Sequence, residues 1–488
     1  MRNLLSYITA FACALTAAAQ PASLQERVEA LASDPALSQA LVGICVRTSG
    51  GETLVDVNAE KMLLPASNMK LISTGAALHE LGPDYQFQTY LAHDGEISDG
   101  QLKGNLYIIG GGDPTTGSKD SIAVSLETTF KQWEAIIRAS GIRRIEGNVI
   151  GDGRWMDGMA EEPTWLWNDI GTYYGAGATG LMFYENMQSF AVSAGEAEGA
   201  PVDIRPSYPD APWMTFLYDC STGKAGTGDL LYMYASDMSP IAEIRGTFGV
   251  DRAAKRLDCA NKFPEYTCAY HFRDFLNKRG LKCEGGVADF RLCPAEASGD
   301  VKVLGSVFSP TLDRIAFETN HASNNLFAET LLRTLGKEML SSACYDSSYV
   351  ALDAVLKSLG LNTAKGLKVQ DGSGLSRQNY VSPDFFCRFL DAMMDSPAYD
   401  SFLASLPSPG GNGTLSYNMK GQPAALRNRI KVKSGSMNGV RCYSGYILPE
   451  ETGSETIVFS IMTNNCTSPT WKVRPLLDKI MVTLASTN

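Results

Sequence analysis

The sequence predicts an α/β chain in which helices and an antiparallel sheet at the two chain ends enclose a β-rich block. Helix and hairpin patterns occupy residues 23–82. From about residue 85, short strands and Gly-rich turns dominate, as expected of an insertion. Helical texture then returns, and three strands with a closing helix end the chain. At 488 residues, roughly 150 per domain suggests about three domains. A hydrophobic fraction of 44% and a charged fraction of 19% describe a globular protein with a sizeable core. The net charge of −11 argues against nucleic acid or an anionic membrane surface as the main partner. Four histidines, with no CxxC and no HExxH, point to no metal centre, and no cofactor is implied.

Taken in order, residues 1–19 have the form of a secretory signal. Arg2 supplies the positive end, residues 4–15 are mostly apolar, and Ala17-Ala18-Ala19 offers an A-x-A cleavage site. The apolar run is short for a membrane span, so the expectation is export through a cleaved signal to the periplasm or cell envelope. Cleavage removes Cys13 and leaves ten of the 11 cysteines, an even number that permits disulfides in an oxidising compartment. Cys259/Cys268, Cys283/Cys293 and Cys442/Cys466 are pairs open to such bonds, although sequence does not determine connectivity.

Ser23 and Glu26 have capping-box spacing ahead of an apolar face of Leu24, Val28 and Leu31. Residues 41–46 and 53–57 read as a hairpin around Ser49-Gly50-Gly51. A second helix starts at Pro65-Ala66-Ser67, turns Met69, Ile72 and Ala76 inward, and runs towards Leu81-Gly82. Gly-rich strands and turns follow at 104–112, 147–153 and 172–180, with strand-like patches at 192–205 and 230–235. Helices are expected at 266–278, ended by Gly280, and at 326–335, ended by Gly336. Strands at 430–433, 443–448 and 456–463 and a helix at 473–484 complete the chain. No period of 20–50 residues repeats, which excludes a solenoid or propeller.

The first chemical motif is Ser67-Asn68-Met69-Lys70. One helical turn places hydroxyl and amine on the same face, and the helix start favours negative charge developing near the serine. A serine is a weak nucleophile without a base beside it, and a desolvated lysine can be that base. The bland alternative is a helix cap followed by an exposed lysine. Ser221-Thr222-Gly223-Lys224 also fits the pattern but sits among turn residues. The second motif, Ser323-Asn324-Asn325, precedes a predicted helix, where serine and asparagine are also good caps. The third, Lys433-Ser434-Gly435-Ser436, ends a predicted strand. There a cation, a hydroxyl and a small residue can grip a carboxylate while a substrate backbone lies alongside; the alternative is an exposed edge lysine before a turn.

In this order and context, SxxK, SxN and K[ST]G form a known signature of penicillin-binding proteins and serine β-lactamases. The chain resembles the class C low-molecular-mass penicillin-binding proteins, the D-alanyl-D-alanine carboxypeptidase/endopeptidases. Gly110-Gly111-Gly112-Asp113-Pro114, residues 147–152, 371–377 and 413–415, and Ser444-Gly445-Tyr446 look like further landmarks of that family. Ser67 and Ser323 lie 256 residues apart, far more than in compact relatives. The resemblance implies a transpeptidase/β-lactamase-like antiparallel sheet sandwiched by helices, interrupted by two nested β-rich domains. The expected division is 20–84 with 303–488 for the catalytic domain, 85–189 with 261–302 for one insert, and 190–260 for the other.

The same resemblance implies roles. Ser67 attacks the carbonyl between two D-alanines and Lys70 takes its proton. Ser323 relays a proton to the leaving amine, and Asn325 binds the substrate amide. Lys433 sets the electrostatics, and Ser434, Gly435 and Ser436 bind substrate, the two hydroxyls holding the terminal carboxylate. Arg377 is either a further carboxylate grip or a surface or structural ion pair. Backbone N–H groups of Ser67 and Ser436 form the oxyanion hole. Where the family usually has threonine, this chain has Ser434, which keeps the hydroxyl and loses the methyl. Peptidoglycan stem peptides are the implied substrate and β-lactams covalent inhibitors. A serine β-lactamase and a non-catalytic envelope-binding protein are the competing readings.

Overall fold

The computed structural model describes residues 22–293, 301–451 and 453–487. The expected signal segment, 1–19, lies outside the described residues. The two chain ends meet in one antiparallel sheet of five strands, in the order Thr53–Val57, Leu41–Thr48, Ile457–Asn464, Val440–Ile447, Ile430–Met437. Ile44 stands opposite Ile461, so strands more than 400 residues apart in sequence are direct neighbours. Ile457–Asn464 is buried at every position, as a strand covered on both faces must be.

One face packs on helices Leu24–Ala32 and Thr470–Ala485 through Val28, Ile44, Phe459, Leu477 and Ile480. The other packs on Met69–Leu81, Asn325–Leu340 and Pro383–Met394 through Leu71, Leu331, Phe385 and Val458. The expected capping box is present, with Ser23 accepting from the Glu26 N–H and Glu26 reaching back to Ser23.

The intervening chain builds separate sheets. A five-stranded sheet includes Gln88–His93, Leu106–Gly110, Val149–Asp152 and Lys302–Phe308. Two three-stranded sheets share a core of Phe190, Ile244 and Phe248. The block is less purely β than expected, because helix Leu126–Ala139 buries Phe130, Trp133 and Ile137. Its apolar spacing and its cap, Ser125 accepting from the Thr128 N–H, were readable signals.

Two further expectations are corrected. Gly336 does not end its helix, which runs on to Leu340 and stops at Ser341 in the left-handed region. A Cβ on Gly336 would lie 2.7 Å from both Ser342 O and Ser348 Oγ, so the glycine allows a close helix–helix approach instead. The ten cysteines among the described residues are free thiols, so none of the three open pairs is bonded. Cys259 and Cys268 belong to different cores, and Cys442 and Cys466 pack towards opposite faces of the main sheet. Cys283 is buried while Cys293 is exposed.

Candidate active site

Ser67 sits in the short 3-10 turn Ala66–Asn68 that leads into helix Met69–Leu81. Ala66 is held at φ 46°, a left-handed conformation costly for a residue with a Cβ. Ser67 is half-buried, and its Oγ accepts from Lys70 Nζ at 3.0 Å. Lys70 is 0% exposed, which excludes the bland reading of a surface lysine. Its ammonium also donates to Asn325 Oδ1 at 2.7 Å and to the Ser373 carbonyl at 2.8 Å, so all of its donors are used. Burial lowers its pKa to about 7, against the opposing pull of Asp371 and Glu329. Near neutral pH a large share of Lys70 is therefore a neutral amine within hydrogen-bond reach of a serine.

Ser323 is not a helix cap. Asn324 takes that role, accepting from the Phe327 N–H at 3.2 Å, while Ser323 is held at φ 58°. This backbone strain frees the hydroxyl, which accepts from Lys433 Nζ at 3.0 Å. Asn325 opens the helix and bridges two elements, since its Nδ2 donates to the Tyr174 carbonyl at 2.9 Å. Lys433 is also 0% exposed; burial and the nearby Lys70 push its pKa well below the usual lysine range.

Strand Ile430–Met437 is the outer strand of the main sheet. Ser434 Oγ lies 3.1 Å from Thr414 Oγ1, and the exposed Ser436 accepts from the Arg441 guanidinium. Gly435 is required by proximity, because a Cβ there would fall 2.5 Å from the Pro65 carbonyl oxygen and 2.9 Å from Asn68 Oδ1. The strand thus packs directly against the turn that carries Ser67. Arg377 is exposed at the same cleft and acts electrostatically on Asp169, pulling down a carboxyl that burial raises. A cavity of about 640 Å³ is lined by Ser67, Ser323, Asn325, Arg377 and Ser436, with Tyr174 on its wall.

Sequence reasoning assigned no role to the support beneath Lys70. Glu329 accepts from the Ser373 N–H at 2.7 Å and also from the Gly372 N–H. Asp371 accepts from the Gly374 N–H, Asn379 Nδ2 and Trp165 Nε1. Together they shape the turn whose Ser373 carbonyl holds Lys70. Burial and Asp371 push the Glu329 carboxyl up. Residues 371–374 were visible as a landmark, but Glu329 carried no signal within its helix. Asn68 was also missed: its Nδ2 donates to Ser444 Oγ at 2.7 Å and ties the turn that carries Ser67 to the sheet.

The family model for the D-Ala-D-Ala carboxypeptidase 3 (S13) family matches residues 24–485, nearly the whole described chain. The chain belongs to that family. It is a serine-type D-Ala-D-Ala carboxypeptidase. It is 31% identical over 464 residues to a D-alanyl-D-alanine carboxypeptidase of Actinomadura sp. (strain R39), covering 91% of this chain and 82% of the relative. It is similar in fold to penicillin binding protein 4 (dacB) from Haemophilus influenzae, with TM-score 0.79, 21% identity, and coverage of 94% of this chain and 98% of that one. A weaker fold likeness, TM-score 0.51 at 13% identity over 92% and 93% of the two chains, links it to a predatory peptidoglycan endopeptidase from Bdellovibrio bacteriovorus.

Proposed function

We propose that this family member is exported and acts in the cell envelope on peptidoglycan stem peptides, through an acyl-enzyme on Ser67. The observation that carries the reading is the fully buried Lys70, its Nζ 3.0 Å from Ser67 Oγ. A serine needs an adjacent base, and a lysine brought near pKa 7 by burial is matched to that task at neutral pH. In the proposed reaction Ser67 Oγ attacks the carbonyl between the D-alanines and Lys70 takes its proton. Backbone N–H groups of Ser67 and Ser436 stabilise the oxyanion. The proton reaches the departing amine through Ser323, whose hydroxyl is oriented by Lys433. Water then hydrolyses the ester.

Asn325 holds Lys70 and faces the cleft, where it meets the substrate amide. Ser434, Ser436 and Arg377 take the terminal carboxylate. Residues 20–84 and 303–488 make up the catalytic unit in this reading, with 85–189, 261–302 and 190–260 inserted into it. The charged, apolar and A-x-A pattern of residues 1–19 supports export, and no helix among the described residues is long and apolar enough to cross a membrane. A β-lactam presents the same reactive carbonyl and acylates Ser67.

A fluorescent penicillin tests this. Wild type is expected to take one label per chain and Ser67→Ala none, and wild type releases D-alanine from a stem pentapeptide. Labelling of Ser67→Ala, or absence of both labelling and D-alanine release in wild type, overturns the mechanism. Rapid turnover of a chromogenic cephalosporin in place of a stable label favours a β-lactamase.

A further inference from the structure

The cleft continues beyond the groups that do chemistry. Tyr173 and Tyr232 line the same cavity as Ser67, at 55% and 42% exposure. Tyr232 opens strand Tyr232–Ser236, which pairs with Ser239–Gly249, itself paired with Thr215–Gly223. Side chains on these strands alternate, and Met233, Ala242, Ile244 and Phe216 turn into the core. The register places Tyr232, Arg245 and Asp219 in one row of the opposite face, and Tyr234, Glu243 and Leu217 in the next.

This outer face carries a built feature. Trp167, 59% exposed, stacks on Tyr234 with centroids 6.3 Å apart and planes 28° apart. The Arg245 guanidinium lies 5.9 Å from the Tyr234 centroid and pairs with Glu243 at 2.7 Å. The loop bearing Trp167 is pressed onto the strand, since a Cβ on Gly171 would fall 1.8 Å from the Met233 carbonyl oxygen. A ledge of aromatic faces edged by planar charged groups thus leads out of the catalytic cleft. Exposed aromatic side chains clustered beside a cleft, rather than scattered singly, point to a binding surface.

We propose that Trp167, Tyr173, Tyr232 and Tyr234 form a carbohydrate site that takes the glycan strand to which the stem peptide is attached. A pyranose ring has an apolar C–H face that fits an aromatic face, and hydroxyl and acetamido groups at its rim suit Arg245, Glu243 and Asp219. The occupant follows from continuity with the cleft. A stem peptide whose scissile carbonyl, between the two D-alanines, lies at Ser67 is bonded at its other end to an amino sugar. Four extended residues span only about 14 Å, so that sugar emerges at the rim of the cavity. The ledge is a glycan site only if the cleft takes stem peptides, so the test separates the two.

Wild type and Trp167→Ala are compared on a sugar-free pentapeptide, the same peptide on its glycan oligomer, and a sugar-free peptide dimer. Trp167 lies outside the cavity around Ser67, so D-alanine release from the sugar-free pentapeptide stays within about twofold. On the glycan-borne peptide, kcat/KM falls about tenfold through KM, and Trp167→Phe restores most of it. Stem-free glycan chains co-sediment with wild type and not with Trp167→Ala. Equal losses on all three substrates, no loss on any, a matching loss on the sugar-free dimer, or glycan binding unaffected by Trp167→Ala overturns the glycan site. If wild type releases no D-alanine from the pentapeptide, the stem-peptide reading itself fails.

Discussion

Burial of Lys70 makes a quantitative prediction. An ordinary lysine, at about pKa 10.4, is neutral in roughly one molecule in 2,500 at pH 7. With the pKa lowered to about 7, half of the enzyme carries the free amine. The folded environment thus raises the supply of base about a thousandfold at pH 7. The sign follows from the charge: the cation loses its proton as pH rises, and in the proposed mechanism only the neutral amine accepts the proton of Ser67. The second-order rate of acylation by a fluorescent penicillin therefore rises tenfold per unit at low pH, bends near pH 7 and flattens above about 8. Between pH 5 and 8 the expected gain is about 90-fold. Stopped-flow or quenched labelling measures it directly. Lys70→Arg keeps the charge and never deprotonates, so its rate falls at least about 100-fold and the inflection near pH 7 vanishes. A wild-type rate that is flat within twofold from pH 5 to 8, or that falls with pH, refutes Lys70 as the base.

Other perturbations test the framework around it. Gly435→Ala introduces a Cβ 2.5 Å from the Pro65 carbonyl oxygen, so penicillin acylation drops about 100-fold while the circular dichroism spectrum is kept. An unchanged rate would reject the close approach of the strand and the turn that carries Ser67. The fully buried Arg333 donates to the carbonyls of Ala343, Ala178 and Asp157 at 2.6–2.7 Å, and Arg333→Met leaves all three unpartnered. The expected loss is about 3–5 kcal/mol in urea unfolding, and a loss under about 1 kcal/mol contradicts that account. Thiol titration of the unfolded chain without its first 19 residues is expected to count ten free cysteines, and a lower count under non-reducing conditions means that bridges form.

Much of this enzyme was legible in its residues because the signals were local. The Ser23–Glu26 cap, the hairpin after residue 41, the three C-terminal strands and the three motifs each need only a few neighbours to be recognised. The length between Ser67 and Ser323 pointed in addition to inserted domains. Local reading failed where a residue's meaning depends on what packs against it. Gly336 looked like a helix stop because glycine usually is one, yet here it lets a second helix come close. Taken alone, Ser323 fitted a cap as well as a relay; the three motifs together assigned it the relay, and the fold adds its positive φ and its contact with Lys433. Glu329 gave no hint of supporting the turn beneath Lys70.

The sequence by itself determined the chemical inventory and its order: a serine with a lysine one turn later, a serine and asparagine ahead of a helix, and a lysine, hydroxyls and a glycine on a strand. The tertiary structure decided whether that inventory is reactive. Lys70 and Lys433 are ordinary cations until folding removes them from water, and their proton affinities fall because burial penalises charge. That burial requires strands from both chain ends to pair, so it is a property of the assembled sheet and of no single segment.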